Sequence, residues 1–289
     1  MRQTSKRARR SRLLMIFILV LLIALVLWGL AALADRLLHY GANATVSAKD
    51  ADQPSAIIPT PETADDPPKN PYDPACFYRD GEFLRYESST VTSQIGIDVS
   101  AHQQDIDWQR ASGVQFAILR AGYRGYTEGS IQEDAYFEQN LAGAIDAGLD
   151  VGVYFFSQAM DEQEALEEAR FVLDKISGYQ LAYPVFFDWE KIGADARSDA
   201  MDLTSLTTVT DTFCSEIEAA GYQAGLYFNQ QLGYEELHLP SLQGYTFWLA
   251  EYNDTPSFTY DFDLWQYASD GSVDGIDGDV DLNLAFIGK

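Results

Sequence analysis

The sequence predicts an α/β barrel of about eight strands with a helix-poor final third. Three observations predict it. Short β-rich runs recur from Ile95 to Asn283, and the earlier ones are separated by helical patterns. That alternation builds βαβ units and a mainly parallel sheet. The run Tyr183–Glu190 (YPVFFDWE) is apolar on both faces, as in a strand covered on both sides. It ends abruptly in Asp188 and Glu190. Residues i and i+2 of a strand share a face, roughly 6–7 Å apart. The C-terminal ends of barrel strands are also where this fold keeps its chemistry.

Ahead of the barrel, charge is strongly segregated. Residues 1–40 hold seven Lys/Arg and one acid, about +6, while the rest holds twelve Lys/Arg and 43 acids, about −31. A surface that acidic repels nucleic acid and anionic lipid, so no nucleic-acid partner is expected. Residues 1–12 read as a basic cytoplasmic tail. Leu13–Ala34 carries no charge over 22 residues, about 33 Å as a helix, enough to span a bilayer. Six basic residues precede it, which leaves the N-terminus inside and the remainder outside the cell. Ala32-Leu33-Ala34 also matches a signal-cleavage pattern, but the apolar run is longer than an ordinary h-region. The expectation is a single-pass membrane anchor. Residues 35–75 read as a linker, with seven of the ten prolines falling within 41–75. Cys76 and Cys214 lie on the external side, where a disulfide is permitted. The reading preferred here is a buried helical Cys214 and a lone Cys76.

Residues 76–94 hold a hairpin, Phe77–Tyr86, around an Asp-Gly turn. The barrel domain, 95–289, follows. Its strands are expected at 95–100, 115–122, 150–157, 181–190, 223–229, 246–252, 263–267 and 279–283. Helices are expected at 133–147, 161–176 and 203–220. Asp161 and Glu164 suggest a capping box, and Gly148, Gly178 and Gly221 suit left-handed positions after helix ends. The last three strands lack long intervening helices.

Acids stand at strand ends: Asp98 on the first, Asp188 and Glu190 on the fourth, Asp281 on the last. In a closed barrel the first and last strands are neighbours, so all four can share one rim. Tyr154, Phe156, Trp189, Tyr227, Asn229, Trp248, Trp265 and Gln266 are expected on the same rim. Aromatic faces with a few hydrogen-bonding groups suit a sugar chain, and two convergent carboxylates are the minimum for cleaving a glycosidic bond. Burial beside Trp189 and neighbouring carboxylates would raise a carboxyl pKa toward neutrality. Arg120, inside an apolar strand, needs a carboxylate partner and is expected to order a rim acid. His102 is either a cleft residue or a loop histidine. No cofactor or metal is expected. Asp277, Asp279, Asp281 and Asn283 alternate as in a calcium loop, but Leu282 and Gly288 stand where that loop needs Gly and Glu.

In order and at this spacing, GIDVSAHQ (96–103), IDW (106–108), ILRAGY (118–123), GVYFFS (152–157), FFDWE (186–190), FWLAEY (247–252), LWQY (264–267) and DVDLN (279–283) resemble glycoside hydrolase family 25. These are lysozymes that cut peptidoglycan at N-acetylmuramic acid. The resemblance covers about Ile95 to Phe286. It implies a modified TIM-like (β/α) barrel, with Glu190 as proton donor, Asp188 as second catalytic carboxylate, and Asp98 and Asp281 completing the cluster. The implied partner is the peptidoglycan glycan strand. Where the family often has histidine after the tyrosine of the third strand, this chain has Phe155, which puts one substrate hydrogen bond in question. A glycan-binding module without activity, or a hydrolase of another polysaccharide, are the alternatives. Retaining and inverting outcomes both stay open, because the strand-end spacing falls between the two carboxylate separations.

Overall fold

The computed structural model describes residues 66–111, 113–193 and 196–288. The basic tail, Leu13–Ala34 and the linker up to residue 65 lie outside the described residues. Among the described residues no helix is long and apolar enough to cross a membrane.

Eight strands close a barrel: β3 (Thr92–Val99), β4 (Phe116–Arg124), β6 (Asp150–Ser157), β7 (Val185–Trp189), β8 (Ala224–Asn229), β9 (Thr246–Ala250), β10 (Leu264–Gly271) and β11 (Val280–Ile287). From β3 to β10 every neighbouring pair is parallel. β11 then runs antiparallel to both β10 and β3 and closes the ring, pairing Asp281 with Asp98. A short β5 (Ile131–Glu133) hangs antiparallel on β4. It was not apparent in the sequence, being only three residues long and mostly exposed.

Three long helices cover the outer face: α1 (Phe137–Asp146), α2 (Glu162–Lys175) and α3 (Leu203–Ala219). α3 buries Leu206, Val209, Thr210, Phe213, Cys214 and Ile217, the spacing of one helical stripe. Gly148, Gly178 and Gly221 have φ of +81°, +89° and +92° just past these helices, where a side chain would be strained. Asp161 caps α2 by accepting the Glu164 N–H at 2.9 Å. The reciprocal bond goes one residue further back, to the Met160 N–H. A one-turn helix α4 (Leu239–Leu242) precedes β9.

Two buried clusters separate the barrel's inside from its outside. The inner one holds Phe116, Ile118, Phe186, Tyr227, Trp248, Ala250, Leu264 and Ala285. Phe116 stacks on Tyr183 with ring centroids 4.4 Å apart. It fits because a Cβ at Gly96 would lie 2.2 Å from its ring. The barrel is thus a packed core below its mouth.

The helix-poor third is covered instead by the N-terminal segment. The hairpin pairs β1 (Phe77–Asp80) with β2 (Phe83–Tyr86), with Gly81 and Glu82 in the turn. The turn lies one residue later than Asp80-Gly81. Phe77 packs edge-on to Trp265, and the Tyr267 hydroxyl accepts the Leu84 N–H at 3.2 Å. The linker assignment needs correction at its end. Residues 66–75 are laid along the barrel, with Asn70 N–H donating to Thr259 O, Asp261 N–H to Pro68 O, and Tyr72 stacked on Phe286 at 3.7 Å. Proline and polar content reads as linker even where one buried aromatic, Tyr72, fastens the segment. Cys214 is buried and Cys76 half-buried, and both are free thiols.

Candidate active site

The barrel's register brings the four acids to one mouth. Asp98 and Asp188 are buried, while Glu190 and Asp281 are half-buried. Asp188 sits opposite Tyr227, Tyr227 opposite Trp248, Ala250 opposite Gln266, and Gln266 opposite Asn283. The rim is therefore continuous from β7 round to β11, and Asp281–Asp98 closes it.

Amides and hydroxyls bind this ring together. Asp98 Oδ2 accepts from Gln266 Nε2 at 2.8 Å and from Asn283 Nδ2 at 2.7 Å. Gln266 Oε1 accepts from the hydroxyls of Tyr227 and Tyr252, both at 2.9 Å. Asn283 Oδ1 accepts from Trp248 Nε1 at 2.8 Å. Asp188 differs: its Oδ1 is buried with no hydrogen-bond partner among the described residues.

All four carboxyls are held above their ordinary range. Burial is the largest cause in each case. The negative charges of Glu190 and Asp98 push Asp188 further up, and Arg120 pulls it back. Glu190 is pulled back by the neighbouring Tyr227 hydroxyl and pushed up by Asp98. Asp281 is raised further by Asp98, whereas the amides of Asn283 and Gln266 hold Asp98 down. Such a cluster titrates jointly and keeps protons at a pH where isolated carboxyls have lost them.

The other sequence candidates divide. Tyr154 and Tyr227 line the mouth, and burial keeps both hydroxyls protonated. Phe156, half-buried, pairs with Asp188 across the β6–β7 ladder. Gln266 is central. Arg120 stands on the mouth side and is paired with Asp134, Nε to Oδ2 at 2.8 Å. The acid it orders is thus outside the four, although its charge is felt by Asp188. Trp248 is 1% exposed, a floor to the mouth with no open face for a sugar. Asn229 is exposed, and its Oδ1 accepts the Leu232 N–H. His102 is exposed in the loop after β3.

Three expectations are corrected by strand alternation. Trp265 points outward, is 0% exposed, and donates Nε1 to Glu251 O. Trp189 belongs to the outer core, on the face opposite Asp188 and Glu190. Phe155 is also in the outer core, edge-on to Phe171, so no mouth hydrogen bond turns on its identity.

Sequence reasoning missed Tyr252 and Asn283. Both lie two residues past a mouth position, Ala250 and Asp281, so strand alternation could have found them. Asp134 reads as one more acid at the start of the helix expected at 133–147, and Gln158 and Ser198 lie in segments with no periodic pattern, so none of the three gave a signal.

The family model for glycosyl hydrolases family 25 matches residues 97–276. YegX of Escherichia coli K12 is 28% identical over 201 residues, 65% of this chain and 68% of that protein. Lysozyme M1 of Streptomyces globisporus is 27% identical over 207 residues, 65% of this chain and 66% of that protein. The structure of the modular autolysin LytC from Streptococcus pneumoniae, in complex with a synthetic peptidoglycan ligand, superposes with a TM-score of 0.58 at 25% identity. That match covers 66% of this chain and 46% of LytC, so the chain spans about half of the autolysin. The match over 97–276 takes in the rim from Asp98 to Gln266, and on it the chain is a member of glycosyl hydrolase family 25.

Proposed function

We propose that the barrel is a lysozyme cleaving the β-1,4 bond between N-acetylmuramic acid and N-acetylglucosamine in peptidoglycan. The observation that carries this is the convergence of Asp98, Asp188, Glu190 and Asp281 at one mouth, all with raised pKa. Lysozyme M1 and the autolytic lysozyme of Clostridium acetobutylicum among the relatives support the activity. The complex of LytC with a peptidoglycan ligand supports the substrate class.

In this reading Glu190 donates the proton to the leaving oxygen. It is half-buried, so a glycosidic oxygen can reach it, and burial raises its pKa, which favours the protonated form that a donor needs. Asp188 has Arg120 as a nearby cation and an oxygen with no partner among the described residues. That oxygen suits the N–H of the substrate's own acetamido group, whose carbonyl oxygen then attacks the anomeric carbon. This is the substrate-assisted alternative to a carboxylate nucleophile. A slow fluorinated substrate should leave no sugar on the protein; mass spectrometry finding a glycosyl adduct on Asp188 would overturn its assisting role. Tyr252, 38% exposed at the mouth, offers the open aromatic face that Trp248 and Trp265 lack. We also propose that Leu13–Ala34 anchors the chain, with the barrel outside the cell. The apolar span and the six basic residues before it support this.

A further inference from the structure

Glu190 is the first residue beyond β7, and neither neighbouring strand holds it. The β6–β7 ladder ends at Ser157–Trp189, and the β7–β8 ladder at Asp188–Tyr227. A proton donor at a frayed strand end would wander, yet catalysis requires placement within a fraction of an ångström.

Buried polar side chains occupy the space behind it. Gln158 Nε2 donates to the Glu190 main-chain carbonyl at 3.0 Å. Gln158 Oε1 accepts from the Ser198 hydroxyl. Both residues are 0% exposed. Gln158 is itself fixed, because it follows Ser157, whose hydroxyl donates to Glu168 at 2.6 Å and accepts the Ala159 N–H. Burying an amide away from water is costly unless both its ends are bonded. Here both ends are bonded, and one of them goes to the residue that carries the chemistry.

We propose that Gln158, braced by Ser198, is a positioning residue that fixes the main chain of Glu190 and so aims its carboxyl at the leaving oxygen. This rests on Glu190 being the proton donor. Neither Gln158 nor Ser198 touches substrate in this scheme.

The test compares two substrates on the full chain: the peptidoglycan glycan, whose sugar leaving group needs a proton, and an aryl glycoside of the same sugars, whose phenolate leaves without one. Gln158→Met keeps the volume and removes the donor. It should lower kcat on the glycan by about tenfold or more, with KM within about twofold, since an ångström of misplacement can cost up to about a hundredfold. On the aryl glycoside it should run near the wild-type rate. Ser198→Ala removes a single hydroxyl and should show a smaller loss of the same kind. In both variants the basic limb of the kcat/KM pH profile, which reports the donor's proton, should move. Equal losses on both substrates, or no loss on either, or an unmoved basic limb, would overturn the proposal. Glu190→Gln in the same assay separates the two levels. If it loses both substrates equally, or neither, the donor assignment fails. If it loses only the glycan while Gln158→Met does not, only the positioning role fails.

Discussion

Four carboxyls crowded into one barrel mouth hold their protons more tightly than isolated acids do, and the residues around them divide the roles. Arg120 opposes the rise at Asp188, and two amides oppose it at Asp98. A second buried acid, Glu168, lies behind the mouth on α2, bonded to Ser157 and to Arg124 Nε at 2.6 Å. Burial outweighs these bonds and pushes its carboxyl up to about 7 from 4.5. The folded protein therefore binds this proton more tightly than the unfolded chain. The stability it contributes is full below about pH 4.5 and is lost as pH rises toward 7. The loss is on the order of 3 kcal/mol for a shift of this size. Glu168→Gln should lower stability yet flatten its slope over this window, read as urea midpoints at pH 4.5 and 7.5; an unchanged slope would contradict the shift. Nothing in the sequence marked Glu168, which reads as one more acid on an acidic helix. Glu190 and Asp188 were legible because an apolar strand delivers them.

At the scale of elements, the barrel order was legible wherever a strand was long and apolar, and the helix ends wherever glycine followed. The sequence was weakest where tertiary packing overrides composition. β5 is three residues long, and the strap 66–75 looks like linker. The aromatic rim was over-read, because Trp265 and Trp189 sit at odd offsets that send them outward. The strap does the work of a missing helix: Tyr72 is 6% exposed, stacks on Phe286, and donates its hydroxyl to Phe262 O at 2.6 Å. Tyr72→Ala should cost about 3 kcal/mol, in the range for a truncated buried aromatic. The urea midpoint should fall with m unchanged and kcat unchanged. A loss below about 0.5 kcal/mol, the level of an ordinary surface change, would show that the strap merely rests on the barrel.

At the scale of the whole molecule, the strap begins the folded domain by residue 66, leaving residues 35–65 between the proposed anchor and the barrel. Thirty-one residues reach roughly 95 Å if polyproline-like and about 30 Å as a flexible coil. If the proposed anchor holds the chain, either reach would leave the barrel in the wall next to the membrane, a place suited to local trimming. Protease added outside wall-stripped cells should release the barrel and leave a membrane stub. A mature protein recovered from the medium and starting at Asp35 would show cleavage after Ala34 and remove the anchor. Wherever the barrel sits, the proposed activity is that of a muramidase whose proton comes from Glu190. The direct measurement is the reducing end released from purified peptidoglycan, identified by mass spectrometry after borohydride reduction. The wild-type chain should release N-acetylmuramic acid ends, and Glu190→Gln should release them at least about a hundredfold more slowly. N-acetylglucosamine ends, or a Glu190→Gln rate near wild type, would contradict it.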